Sequence, residues 1–176
     1  METNPHGNCH IAYGKCSLQI RRGKNRAPLR RVAALCLLAG GVSSLAQAGA
    51  LESWYPSLAK PFFTPPDRIF PIAWSILYIL AGVSIGLVLR SEGEGKKFVA
   101  AVFCAQMAAN ALWSFLFFGL RNPALALAYS IVLLGLSMLY ARAAAGISKA
   151  AAAAFLPYVI WCAFAALLNM CVVAMN

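Results

Sequence analysis

WYPSLAKPFFTPPDRIFPIAWSILY, residues 54–78, changes character half-way along its length. Prolines at 56, 61, 65, 66 and 71 punctuate the first part. Proline lacks an N–H and its ring crowds the preceding turn, so no regular helix runs through such a series. From Ile69 onward the composition is that of a membrane span. A proline-stiffened aromatic loop fused to a transmembrane helix has the build of a lid over a cavity. The rest of the chain is then expected to supply the cavity.

Composition says what surrounds it. Of 176 residues, 61% are hydrophobic and 11% charged, and the mean hydropathy is +0.71. A soluble domain is about 45–50% apolar and about 25% charged, so part of this chain has lipid for solvent. Five uncharged runs of about 20 residues follow one another: Val32–Leu51, Ile69–Leu89, Phe98–Leu120, Pro123–Ala141 and Ala150–Met175. At about 1.5 Å per residue each crosses a hydrocarbon core of about 30 Å. None alternates apolar with polar residues as barrel strands do. The expected fold is all-α: an integral bundle of five transmembrane helices, with a Pro/aromatic-rich loop between the first and second.

The formal charge of +10 does not point to nucleic acid, because the basic residues sit in the N-terminal tail and at span ends. Counted on alternate sides of the membrane, twelve Lys and Arg face three. That bias puts the N-terminus in the cytoplasm and the C-terminus outside. Residues 1–31 form a basic, disordered tail ahead of a domain over residues 32–176. Within the tail His6, Cys9, His10 and Cys16 lack the second ligand pair of a zinc pattern, so no metal is expected. The first run also reads as a signal peptide ending at Ala46-Gln47-Ala48, which cleavage would remove. Its 20 residues match a retained helix better than a short signal core.

Three spans carry polar or aromatic stripes. In the second run Trp74, Tyr78 and Ala81 share a face. In the third, Gln106, Asn110, Trp113 and Phe117 recur at i, i+4, i+7 and i+11. Amides in mid-span are costly against lipid and belong to the bundle interior, as glue between helices or as ligand contacts. The opposite face, Ala101, Ala105 and Ala108, suits close approach of another helix and is a candidate dimer interface. The fifth run has Pro157 at an interior position, expected to kink it or to free the carbonyl of Ala153. Tyr158, Trp161, Ala165 and Asn169 follow on one stripe.

Four motifs stand in order: WYxxLxKPxxxPP, PxxWxxLY, NxLWSxLFFG and PYxxWxxFAxxLN. Together they resemble the TspO/MBR family of tryptophan-rich sensory proteins and translocator proteins, from about Glu52 to Asn176. The resemblance implies five transmembrane helices, a homodimer, a cavity capped by the first loop, and a retained first helix. It also implies binding of tetrapyrroles such as protoporphyrin IX or haem, with no obligatory cofactor. Carried over by position, the ligand site uses Tyr55, Pro65, Trp74, Tyr78, Asn110, Trp113, Trp161 and Ala165. The family's loop reads KPSWTPPxW, whereas Phe62, Phe63 and Arg68 stand here. Two indole donors are thereby lost, and the gained Arg68 is expected to meet a ligand carboxylate.

Three functions follow. The first is a multi-pass membrane receptor or sensor for tetrapyrroles, in a bacterial or organellar membrane. The second is a porphyrin-degrading enzyme working through Trp74 and Trp161. Against it, the uncharged runs hold no Asp, Glu, His, Lys or Arg for acid–base work. The third is a passive translocator of porphyrin or sterol, since no ionisable residue in the spans offers coupling to an ion gradient.

Overall fold

The computed structural model describes residues 47, 49–92 and 94–176. The basic tail, its His/Cys group and nearly all of the expected first span lie outside the described residues. The described end of that span, residues 49–51, is helical, and the helix continues through Ser53. Beyond it run four helices: α1 (Ile69–Arg90), α2 (Lys96–Ser114, continued as a π-helical turn over Phe115–Gly119), α3 (Pro123–Ile147) and α4 (Lys149–Met175). Among the described residues these four are long and apolar enough to cross a membrane.

Each helix begins where the sequence provides for it. Pro71 sits in the first turn of α1, where the backbone N–H has no intrahelical partner to lose. Gly95 precedes α2 at φ 80°, a left-handed conformation that glycine adopts without strain. Asn122 caps α3, its side chain accepting from the Leu125 N–H at 2.9 Å, and Pro123 opens the first turn. Ser148 caps α4 through the Ala151 N–H. The expected reversal at Arg121-Asn122-Pro123 is present, with Arg121 at φ 51°. Helix α3 outruns its uncharged stretch by six residues and carries the exposed Arg142 within it. Helix α4 continues unbroken past Pro157; with no N–H at that residue, the Ala153 carbonyl has no donor four positions on.

The helices run up and down. One end holds the start of α1, the π turn of α2, the start of α3 and the end of α4. The opposite end is a solid aromatic core. There Tyr140 meets Phe155 at 4.4 Å between ring centroids, and Phe155 stacks on Tyr158 at 4.8 Å. The fully buried Ser84 locks three helices at this end: its hydroxyl donates to the Ala151 carbonyl at 2.7 Å and lies 2.9 Å from the Tyr140 hydroxyl. Outside, large apolar side chains such as Ile72, Ile131 and Ile160 stand exposed along the helices. In water that arrangement would be unfavourable over so much area; in hydrocarbon it is the matched surface.

Candidate functional site

The other end of the bundle is hollow. A cavity of about 570 Å³ opens beneath the loop that precedes α1, within the usual size range of small-molecule sites, about 300–1,000 Å³. Seven of the eight sequence-derived ligand positions line it: Tyr55, Trp74, Tyr78, Asn110, Trp113, Trp161 and Ala165. Pro65 is half-buried in the loop but does not line the cavity; its neighbours Thr64 and Asp67 do.

The walls are rings with distinct supports. Trp74 lies 5.6 Å from Tyr78 and 5.9 Å from Tyr158. Trp113 stacks on Phe117 at 5.2 Å with 14° between planes. Trp161 meets Phe70 edge-on at 6.0 Å. Phe117 and Phe118 both face the site because the π turn inserts a residue at the end of α2 and swings consecutive side chains inward. These two rings also seat the loop. Trp54 packs against Phe117 at 5.6 Å, and Tyr55 against Phe118 at 5.8 Å.

The polar atoms divide into those already engaged and those left open. Asn110 donates through Nδ2 to the Tyr78 hydroxyl at 2.7 Å. The Trp113 indole donates to Ser130 Oγ at 2.8 Å. By contrast, Asn110 Oδ1 and Trp161 Nε1 are buried with no hydrogen-bond partner. An unpaired buried polar group costs about 1–3 kcal/mol, so an acceptor and a donor stand unsatisfied in residues that line an open cavity. Gln106, also on the polar stripe, is wholly buried with both amide atoms unpaired; it lies outside the lining, as does Tyr158. Asn169 lines the cavity, yet the orientation that satisfies its amide spends it on the Pro123 carbonyl (3.1 Å) and the Leu127 N–H (2.9 Å).

Charge gathers at the mouth: Glu52, Lys60 and Asp67 belong to the lining. Lys60 Nζ sits 3.8 Å from the centroid of the Tyr55 ring, a cation–π contact of about 0.5–1 kcal/mol at such a site. Burial, and after it the carboxylate of Asp67, raises the Tyr55 phenol above its ordinary pKa. The cation facing the cavity is therefore Lys60. Arg68, expected from sequence to take that role, is exposed just ahead of α1 and outside the lining.

A second fastening of the loop has no forerunner in the sequence pattern. The Asn176 side chain accepts from the Ala59 N–H and donates to the Ala59 carbonyl, both at 3.0 Å, and donates to the Val172 carbonyl at 2.8 Å. It thus pairs with the loop backbone as a neighbouring strand would. On the far side of α2, Ala101, Ala105 and Ala108 point outward and exposed, together with Cys104.

Among the described residues, four apolar helices around an aromatic cavity define the class: an integral, multi-pass membrane protein. A model of the TspO/MBR family matches residues 32–175. The chain belongs to that family. It is 35% identical over 140 residues to the "Tryptophan-rich protein TspO" of Archaeoglobus fulgidus, covering 80% of this chain and 91% of the relative. "Protein CrtK" of Rhodobacter capsulatus is 38% identical over 145 residues, 80% of this chain and 88% of the relative. The "Translocator protein" of Sus scrofa is 33% identical over 138 residues, 77% and 82% respectively.

Proposed function

We propose that this protein is a tetrapyrrole sensor that takes protoporphyrin IX or haem into the cavity beneath the loop. The observation that carries the reading is the pairing of flat aromatic walls with two unsatisfied polar atoms, Asn110 Oδ1 and Trp161 Nε1. Indole and phenol rings offer stacking area to a planar macrocycle, and a few convergent polar groups fix its orientation. Lys60 at the mouth suits the carboxylate edge of such a ligand. Haem would be held by its faces and edge, since both histidines of the chain, His6 and His10, lie in the tail.

The test is titration of protoporphyrin IX against the purified protein in lipid nanodiscs, with Trp74→Ala and Asn110→Ala beside it. Weakened binding in both supports the site; undiminished binding in both removes it. We further propose that two copies pair through the Ala101, Ala105 and Ala108 face. Cys104 is exposed on that face, so a Cys104-dependent cross-linked dimer in native-like membranes is expected, and its absence under oxidation counts against the pairing.

A further inference from the structure

Phe62 is 99% exposed and Phe63 38% exposed, their rings edge-to-face at 5.4 Å. A phenyl ring left bare on a loop needs a reason, and the cavity does not provide one, since neither ring belongs to its lining. The loop's height is set by its fastenings. Ala59 is bonded to Asn176 at the end of α4, and Tyr55 packs on Phe118 at the end of α2. Ala59 and the rings are thus held level with the helix ends, where hydrocarbon gives way to headgroups. Just beyond the pair, α1 begins an outward stripe of exposed Ile69, Ile72, Ile76 and Ile79.

We propose that Phe62 and Phe63 insert into the membrane interface and moor the loop to the bilayer. The residues around them fit that partner. Arg68, exposed on the same loop and outside the cavity lining, can carry its cation to lipid phosphates while the rings sit below them. Pro61, Pro65 and Pro66 stiffen the segment, so little conformational freedom is lost on insertion. A second protein copy is a poorer occupant. The bare rings present roughly 200–350 Å² of apolar surface, against about 800 Å² per partner in a stable interface. The loop is then held on two sides, by the bundle and by lipid, and its lifting is coupled to the state of the bilayer surface.

The experiment places a nitroxide at position 62 (Phe62→Cys) and, separately, at the exposed Ser57 of the same loop (Ser57→Cys). Both are made in the full chain with its own six cysteines replaced by alanine, reconstituted in phosphatidylcholine vesicles with and without phosphatidylglycerol. The expected result is a ratio of oxygen to nickel-chelate accessibility several-fold higher at 62 than at 57, with a depth of roughly 5–10 Å, as for an interfacial segment. Equal accessibility at the two positions overturns the proposal. So does strong dipolar broadening between labels at 62, which would identify a second copy as the occupant. Because the label itself is apolar, a second measurement uses Phe62→Trp. Its added fluorescence should be quenched by lipids brominated near the headgroup by at least twice as much as by lipids brominated at the chain end. Quenching by neither lipid also refutes the mooring.

Discussion

Replacing Asn176 with alanine tests whether the loop over the cavity is a lid with a defined fastening. The side chain makes two hydrogen bonds to Ala59, both at 3.0 Å and both exposed. A hydrogen bond contributes about 0.5–1.5 kcal/mol net, and solvent competition puts this exposed pair near the lower end, about 1 kcal/mol together. Since 1.4 kcal/mol is tenfold, the closed-to-open ratio of the loop should fall about fivefold. Asn176→Asp should do at least as much, because it sets a negative oxygen against the Ala59 and Val172 carbonyls. The assay is amide exchange at Ala59 in nanodiscs, read beside the dissociation rate of bound protoporphyrin. Both should rise by about the same factor, while exchange in the middle of α1 stays put. An Ala59 exchange rate within twofold of the parent would show that the aromatic seat on Phe117 and Phe118 holds the loop alone. Faster exchange with an unchanged ligand off-rate would show that the loop moves but does not gate the cavity.

Four further outcomes follow from the same geometry. Asn110→Leu removes the bond to Tyr78 but also an unsatisfied buried acceptor, so thermal stability should barely change while tetrapyrrole affinity falls about 2–10-fold, measured by fluorescence titration. Ser84→Ala breaks the buried link between α1, α3 and α4 far from the cavity; it should destabilise by about 1–3 kcal/mol in detergent melts and leave intrinsic ligand affinity intact. Lys60→Met should weaken binding of the free-acid porphyrin about 2–5-fold, as suits a cation at an open mouth, and leave the dimethyl ester unaffected. Burial and Asp67 raise the Tyr55 phenol, so its contribution to loop closure is whole below the ordinary phenol pKa, about 10. That contribution is lost only as pH climbs through the raised value; tyrosinate absorbance and Ala59 protection, taken relative to the free-amide exchange rate at each pH, should stay constant through neutral pH, and in strong alkali absorbance should rise as protection falls.

Much of this architecture is legible in the sequence, because membrane helices leave strong traces. Uncharged runs of spanning length fix the four described helices closely except at the end of α3, which runs on to Ile147, and Asn122-Pro123 marks the start of α3 in plain view. The cavity walls are within reach as well: Trp74, Asn110 and Trp161 lie on stripes that period 3.6 brings to a common interior. What escaped was anything set by local departures from that period or by pairing across the fold. The π turn has no signature in Phe-Leu-Phe-Phe-Gly that separates it from an ordinary helix end, so nothing in the sequence marks Phe118 as a wall residue. Asn176 meets Ala59 across 117 positions, a contact that no pattern of spacing announces. The mouth is hard to read for a different reason. Arg68 stands out as a departure from the family's loop, whereas Lys60, inside the shared Lys-Pro step, is the cation that the loop's fold turns inward.

The four tryptophans show how a ring's neighbours, more than its identity, decide what it can do. Trp54 is part of the loop's seat on Phe117, and its role is closure. Trp113 lines the cavity but has given its N–H to Ser130, so it offers a face and no donor. Trp74 stands between Tyr78 and Tyr158 and is held as wall. Trp161 alone among them keeps a buried N–H without a partner, in a cavity where Asn110 keeps an acceptor in the same condition. Loss of two loop indoles relative to the family's pattern therefore leaves this donor–acceptor pair, carried by α2 and α4, untouched. Phe117 and Phe118 on the π turn supply ring area beneath the loop. A ligand that satisfies Asn110 and Trp161 while turning an anionic edge to Lys60 would use the two unpaired buried atoms and the cation of the lining, and Glu52 and Asp67 at the same mouth limit how much negative charge it can bring.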